Sequence, residues 1–290
     1  MIKELKKQFR AGNNLTKLIY INISVFVLIK FFGVFAFLMQ TNTWDIINWF
    51  ALPAEVTKIA QKPWSFISYM FVHQGFLHIL FNLLWLFFGG QIFLQYLNNK
   101  QLLSTYVLGG IFGAFSYVAA FNTFPVFQQN LNQSMAIGAS ASVLAIVTAI
   151  ATYTPNYSVQ LTLIGRVKLK HIAIFSILLD ILSIPKGNAG GHIAHLGGAL
   201  YGFLYIQQLK SGKDWSKSFY WLLKSIFHFF KKKPSSLKTV YNRPKNDDQW
   251  RADKAAAQED INRILDKISK SGYESLNKQE KEILFKASKK

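Results

Sequence analysis

Two serines, four histidines and an asparagine stand inside stretches of this chain that are otherwise apolar. Residues 73–90 read HQGFLHILFNLLWLFFGG, with His73, His78 and Asn82 gathered toward the start. Residues 138–142 read GASAS, and residues 190–202 read GGHIAHLGGALYG with His192 and His195 in the first half. A serine hydroxyl becomes a nucleophile when an imidazole takes its proton, and amide or imidazole N–H groups can hold the oxyanion that follows. These residue types are therefore the parts for nucleophilic acyl transfer, provided that the fold brings them together. His78 and Asn82 lie four apart and share one face of a helix. Ser140 is preferred to Ser142, because it sits in the first turn, where free backbone N–H groups and the positive end of the dipole favour an oxyanion. His195 is preferred to His192, because His195, Gly198 and Gly202 fall on one small-residue stripe that permits close helix packing. Asp180 is the only carboxylate within the apolar stretches beyond residue 66, and spacing alone does not join it to a histidine, so a Ser140–His195 dyad is expected.

The elements that must position these groups are membrane helices. From residue 18 to residue 209 there are eight basic and three acidic residues, far too few for an ordinary soluble domain. A bilayer core needs about 20 apolar residues per helix. Windows of roughly that kind fall at 18–39, 74–97, 102–121, 139–153, 169–184 and 191–208, which predicts six spans. The fold class expected is an all-α membrane protein, a six-helix bundle with a small cytoplasmic helical tail. With six spans, the basic N-terminus, Lys100, the Arg166/Lys168/Lys170 loop and the basic tail share one side, which the excess of positive charge marks as cytoplasmic. Both termini are then cytoplasmic, in a multi-pass protein expected in the plasma membrane. The three polar groups all come to the outer depth. The apolar stretch of the first window is too long for the core of a cleavable signal peptide.

Four regions follow: a basic N-terminus at 1–17, the membrane domain at 18–209, an interfacial amphipathic segment at 210–234 and a cytoplasmic helical tail at 235–290. The outer loop at 40–66 carries Trp44, Trp49, Phe50, Trp64 and Phe66, aromatics suited to the headgroup interface. Residues 215–230 read as an amphipathic helix lying on the membrane, with a seventh span as the alternative. A linker is expected at 234–246. Helical periodicity then covers 249–271 and 277–288, with Asn277 and Glu280 spaced as a capping box.

The histidine-rich run of the second window, GASA at the head of the fourth and AHLGGALYG in the sixth resemble the rhomboid family of intramembrane serine proteases. The three motifs occur in the same order as in that family, across about residues 18–208. The resemblance implies Ser140 as nucleophile, His195 as general base, and an oxyanion hole from the Ser140 N–H with the His78 and Asn82 side chains. It also implies transmembrane proteins as substrates, membrane lipids as surroundings, and no cofactor or metal. The chain departs from the family pattern at Trp64-Ser65, where Trp-Arg is usual, at Ala141 in place of glycine, and at Leu144, where an aromatic often stacks on the histidine.

Two other functions compete with an endopeptidase: a catalytically silent relative that binds transmembrane helices, and a transporter. The transporter is disfavoured because the polar groups cluster at one depth with no matching inner set. The formal net charge of +19 does not require nucleic acid as a partner, since membrane orientation and anionic lipid account for it. The absence of cysteine excludes disulfide scaffolds, thiolate zinc sites and cysteine nucleophiles. Oligomeric state is not legible.

Overall fold

A computed structural model of the chain describes residues 8–41, 44–161, 165–230 and 247–288. The first part of the basic N-terminus and the linker expected at 234–246 lie outside these. The chain divides into two compact units, one ending at Lys231 and the other beginning at Lys232.

The first unit is built on seven principal helices: α1 (Asn14–Leu38), α2 (Phe76–Tyr96), α3 (Asn99–Thr123), α4 (Ser140–Tyr153), α5 (Leu169–Ser183), α6 (Ala189–Lys210) and α7 (Trp215–Phe230). Among the described residues, α1, α2 and α3 are long and apolar enough to cross a bilayer, and α4 is a shorter apolar helix. Local chemistry sets their ends. The Asn13 side chain accepts the Thr16 N–H at 2.9 Å to start α1. Asn98 and Gln101 form a reciprocal capping box that starts α3, satisfying N–H groups that have no partner within the helix.

The bundle is centred on α4, where ten of the fourteen residues are buried. Its small faces let α6 and α3 approach to backbone contact. A Cβ on Gly198 would collide with the Ala141 carbonyl oxygen, one on Gly202 with that of Ala145, and one on Gly109 with the Ala145 side chain. The outer surfaces are the reverse of a soluble protein's. Phe31 and Phe37 on α1, Phe81 and Phe88 on α2, and Phe175 and Leu182 on α5 are all exposed. A surface this apolar is one that lipid covers.

Two antiparallel ribbons interrupt the mostly helical chain, and neither was expected from an all-α reading. Leu52 pairs with Ala136 and Pro53 with Met135, which ties the segment after α1 to the approach to α4. Ser158–Leu161 pairs with Gly165–Lys168 between α4 and α5. The segment between α1 and α2 folds on itself: the Trp49 and Trp64 rings lie 5.0 Å apart, and the Trp64 indole N–H donates to the Trp49 carbonyl at 2.9 Å. Lys62 reaches the Asn48 carbonyl at 3.2 Å. Ser65, where the family pattern has arginine, is fully buried.

Helix α7 begins where Asp214 accepts the Ser216 N–H and the Tyr205 hydroxyl. It exposes Trp221, Leu222 and Ile226.

The second unit contains α8 (Asp247–Ser271) and α9 (Lys278–Ala287). The capping box of Asn277 with Glu280 is formed in full. Lys267 meets Glu280 at 2.9 Å, and Ile264 and Leu276 are buried between the helices.

Candidate active site

Ser140 is the first residue of α4, and the chain enters it through Gly138 at φ +120°, a backbone state that side chains disfavour. A second constraint acts at the same glycine, since an added Cβ would come within 2.8 Å of the His78 ring and 3.7 Å of the Ser140 hydroxyl. His78 therefore lies directly over the turn that presents Ser140. The turn itself is pinned from beneath. Gly138 donates its N–H to the Tyr69 carbonyl at 2.9 Å. Ala139 donates to Nε2 of the fully buried His73 at 3.3 Å. With Nε2 accepting, the His73 proton resides on Nδ1, which donates to the Phe71 carbonyl.

Ser140, His78, Asn82 and His195 line one cavity of about 1390 Å³ between α2, α4, α5 and α6. Ser142 does not. It is fully buried, with its hydroxyl against the Met70 sulfur at 3.8 Å, the ordinary packing fate of a serine within a helix. Asn82 donates one amide hydrogen to the His78 carbonyl at 2.8 Å, one turn back on its own helix. Leu144 also lines the cavity, so this wall is aliphatic where an aromatic is usual in the family.

The register between α4 and α6 follows from their closest approach. Gly198 meets Ala141, so His195, three residues earlier on α6, stands about one turn further toward the end of the bundle where Ser140 lies. The two helices run in the same direction, which puts both residues at the same end.

Asp180, which spacing alone did not join to a histidine, stands beside two of them. Its Oδ1 accepts from His195 Nδ1 at 2.9 Å and from His192 Nδ1 at 2.7 Å. An ionised carboxylate can only accept, so both imidazoles carry a hydrogen on Nδ1, and in the neutral ring Nε2 is then the acceptor. The physical reason is the tight reversal between α5 and α6. It passes through Ile184–Lys186 and then Asn188, whose φ of 49° is left-handed, and folds α6 back along α5. Asp180 thereby faces His192 and His195, which are three apart and so share a helix face. The signal was present in the sequence as a helical hairpin with its turn near residue 187. Counting back from that turn, rather than along one helix, would have found the acid.

These features define a class: a multi-pass helical membrane protein with a serine, a histidine–carboxylate pair and an imidazole lining one open cavity. Residues 60–211 match the Rhomboid domain model, and the chain belongs to the rhomboid family. It is similar to the presenilin-associated rhomboid-like protein A, mitochondrial, of Danio rerio, 32% identical over 142 residues, covering 47% of this chain and 35% of that protein. It is also similar to the rhomboid protease GlpG of Yersinia pseudotuberculosis, 23% identical over 190 residues, covering 63% of this chain and 60% of that protein. GlpG of Yersinia pestis is 24% identical over 189 residues. The chain thus spans about a third of the first relative and 60% of the second. Residues 245–290 match a family of unknown function, DUF6576.

Proposed function

We propose that this chain is an intramembrane serine endopeptidase that hydrolyses peptide bonds in or near the transmembrane segments of other membrane proteins. The observation that carries this reading is the 2.9 Å contact of His195 Nδ1 with Asp180, which leaves His195 Nε2 as an acceptor at the cavity that Ser140 lines. In the reaction, the Ser140 hydroxyl gives its proton to His195 Nε2 as Oγ bonds to the scissile carbonyl carbon. The tetrahedral oxyanion is held by the Ser140 N–H with the His78 and Asn82 side chains. Collapse breaks the C–N bond, and His195 returns the proton to the leaving amine. Water, deprotonated by the same imidazole, then hydrolyses the acyl-enzyme and restores Ser140. Asp180 orients the imidazole and stabilises its cationic form, so the unit is a Ser140–His195–Asp180 relay rather than a bare dyad.

The cavity walls suit such a substrate. Phe81 and Trp85 from α2 and Phe175 and Leu179 from α5 give it apolar sides, and Ser140, His78, Asn82 and His195 add polar groups to the same lining. A substrate helix in that space meets apolar walls where its side chains are apolar and hydrogen-bonding groups where its backbone must open. Six spans, with both ends of the chain on the cytoplasmic side, complete the proposal, and α7 lies along the inner membrane surface.

The test is cleavage of a panel of single-span proteins by the native chain and by Ser140→Ala, with a serine-reactive fluorophosphonate as a second readout. Cleavage and labelling should both vanish in Ser140→Ala while the protein still accumulates in membranes. Equal cleavage by the two would refute Ser140 as nucleophile. A folded native chain that neither cleaves nor labels would instead be the helix-binding, catalytically silent relative.

A further inference from the structure

His192 has no part in the hydrolysis described above, yet it makes the shorter of the two contacts to the Asp180 carboxylate. One carboxylate oxygen that receives two imidazole nitrogens is an unusual economy if only one of them serves as base. One donor atom from each of Asp180, His192 and His195 lies within 4.8 Å of the other two. Two imidazoles and a carboxylate form a donor set that binds zinc, with water in the remaining tetrahedral position. The histidines share the face of α6 and Asp180 faces them from α5, so two rigid helices hold the set together. All three residues line the cavity, which gives an ion a route in.

We propose that Asp180, His192 and His195 form a Zn2+ site, and that filling it switches the hydrolytic site off. Donor atoms around a tetrahedral zinc, each about 2.0–2.2 Å from the ion, stand somewhat over 3 Å apart. The present Nδ1–Oδ1 spacings of 2.7 and 2.9 Å need to widen by about 0.5–0.7 Å, and the three donor atoms, now within 4.8 Å of one another, need to settle at that one separation. The proton balance follows from the tautomers. To offer its Nδ1 lone pair to the metal, each neutral imidazole moves its proton from Nδ1 to Nε2, and none is released. His195 Nε2 is then an N–H donor with no lone pair for the Ser140 proton. Zinc therefore inhibits by inverting the tautomer that Asp180 enforces, and it removes Asp180 from its orienting role at the same time. Nitrogen donors favour a borderline ion of this kind over magnesium or calcium, which take oxygen. The site accordingly discriminates between divalent ions.

Binding of the ion does not depend on the protease reading, whereas the inhibition does, so the two are measured separately. The full-length Ser140→Ala protein in detergent is titrated with Zn2+ by calorimetry and with Co2+ by visible absorption. One equivalent should bind, with the intense d–d bands of a low-coordinate cobalt site. His192→Ala, His192→Gln and Asp180→Asn should each weaken binding by about tenfold or more, with folding checked by melting temperature. His171→Ala, which alters another cavity-lining imidazole, should leave the affinity unchanged. Failure of the parent protein to bind zinc, or a loss that follows His78 or His171 instead of His192, overturns the site. In the native chain, Zn2+ should block cleavage at the concentration that fills the site, and a chelator should restore it. Cleavage that continues at saturating zinc overturns the switch. A chain that binds zinc but never cleaves, with or without it, refutes the protease reading and leaves the metal site standing.

Discussion

At the scale of single residues, the two nitrogens of one imidazole carry different duties, and Asp180 decides which is which. While the carboxylate accepts from Nδ1, Nε2 is the His195 nitrogen left for the proposed proton transfer from Ser140. Asp180→Asn replaces an acceptor with a group that can also donate, and the wrong tautomer becomes as favourable as the right one. The expected result is a fall in kcat by a factor on the order of 10² or more, with KM nearly unchanged, because the carboxylate touches the base and not the substrate. Single-turnover cleavage of a transmembrane substrate measures this directly. A variant with native kcat would reduce Asp180 to a packing residue. His73 acts at the same scale from the other side, since its Nε2 accepts the N–H of Ala139 and so fixes the turn that presents Ser140.

At the scale of elements, the site depends on how closely α4 and α6 approach. Gly198→Ala places a methyl against the Ala141 carbonyl oxygen, which belongs to the backbone and cannot swing away. The helices must separate, at a cost of about 1–3 kcal/mol for overpacking, and Ser140 moves with them away from His195. The variant should melt several degrees lower and lose most of its cleavage activity. Gly75→Ala is the matched control. Nothing lies within 4 Å of an added Cβ there, and the φ of −112° suits any residue, so stability and activity should both hold. The same scale explains what could be read from the chain beforehand. Long apolar runs announce helices because lipid, unlike water, cannot satisfy a broken backbone hydrogen bond. The window expected at 139–153 accordingly appears as Ser140–Tyr153, and that at 169–184 as Leu169–Ser183. The two ribbons stayed hidden because strands of two and four residues leave no alternation to detect. Ser140 stood out by its place at a helix start. Asp180 did not, because its partners are fixed by the reversal at residues 184–188 and not by any repeat along the chain.

At the scale of the whole molecule, the second unit carries its own stabilising chemistry. The Lys267 ammonium, followed by the Asn277 backbone N–H, holds the Glu280 carboxyl below its ordinary value. A depressed carboxylate contributes stability that is complete above its unfolded pKa of about 4.3 and disappears as the pH falls through the lower folded value. Hydrogen exchange of α9 amides, normalised to intrinsic rates, should therefore show protection that holds at about pH 6 and weakens below about pH 4. Glu280→Gln should flatten that dependence, and a native profile in this variant would exclude the ion pair as its cause.

The span count is tested by the chain's lack of cysteine, which makes any introduced thiol a unique reporter. Gln133 is exposed between α3 and α4, Asn156 between α4 and the second ribbon, and Lys270 on α8. In the proposed topology the first of these lies on the outer side, and the second and third with the basic loops inside. A membrane-impermeant maleimide should label Gln133→Cys in intact cells, and Asn156→Cys and Lys270→Cys only after lysis. Each position reports a different crossing. Labelling of Asn156→Cys in intact cells would mean that α4, at fourteen residues, does not traverse the bilayer. Labelling of Lys270→Cys alone would make α7 a seventh span and move the second unit outside. Against that outcome stands the composition of α7 itself: Lys217 and Lys224 are exposed beside Trp221, Leu222 and Ile226. A helix so divided gains more at the boundary between headgroups and acyl chains, where both kinds of side chain are solvated, than across the hydrocarbon core.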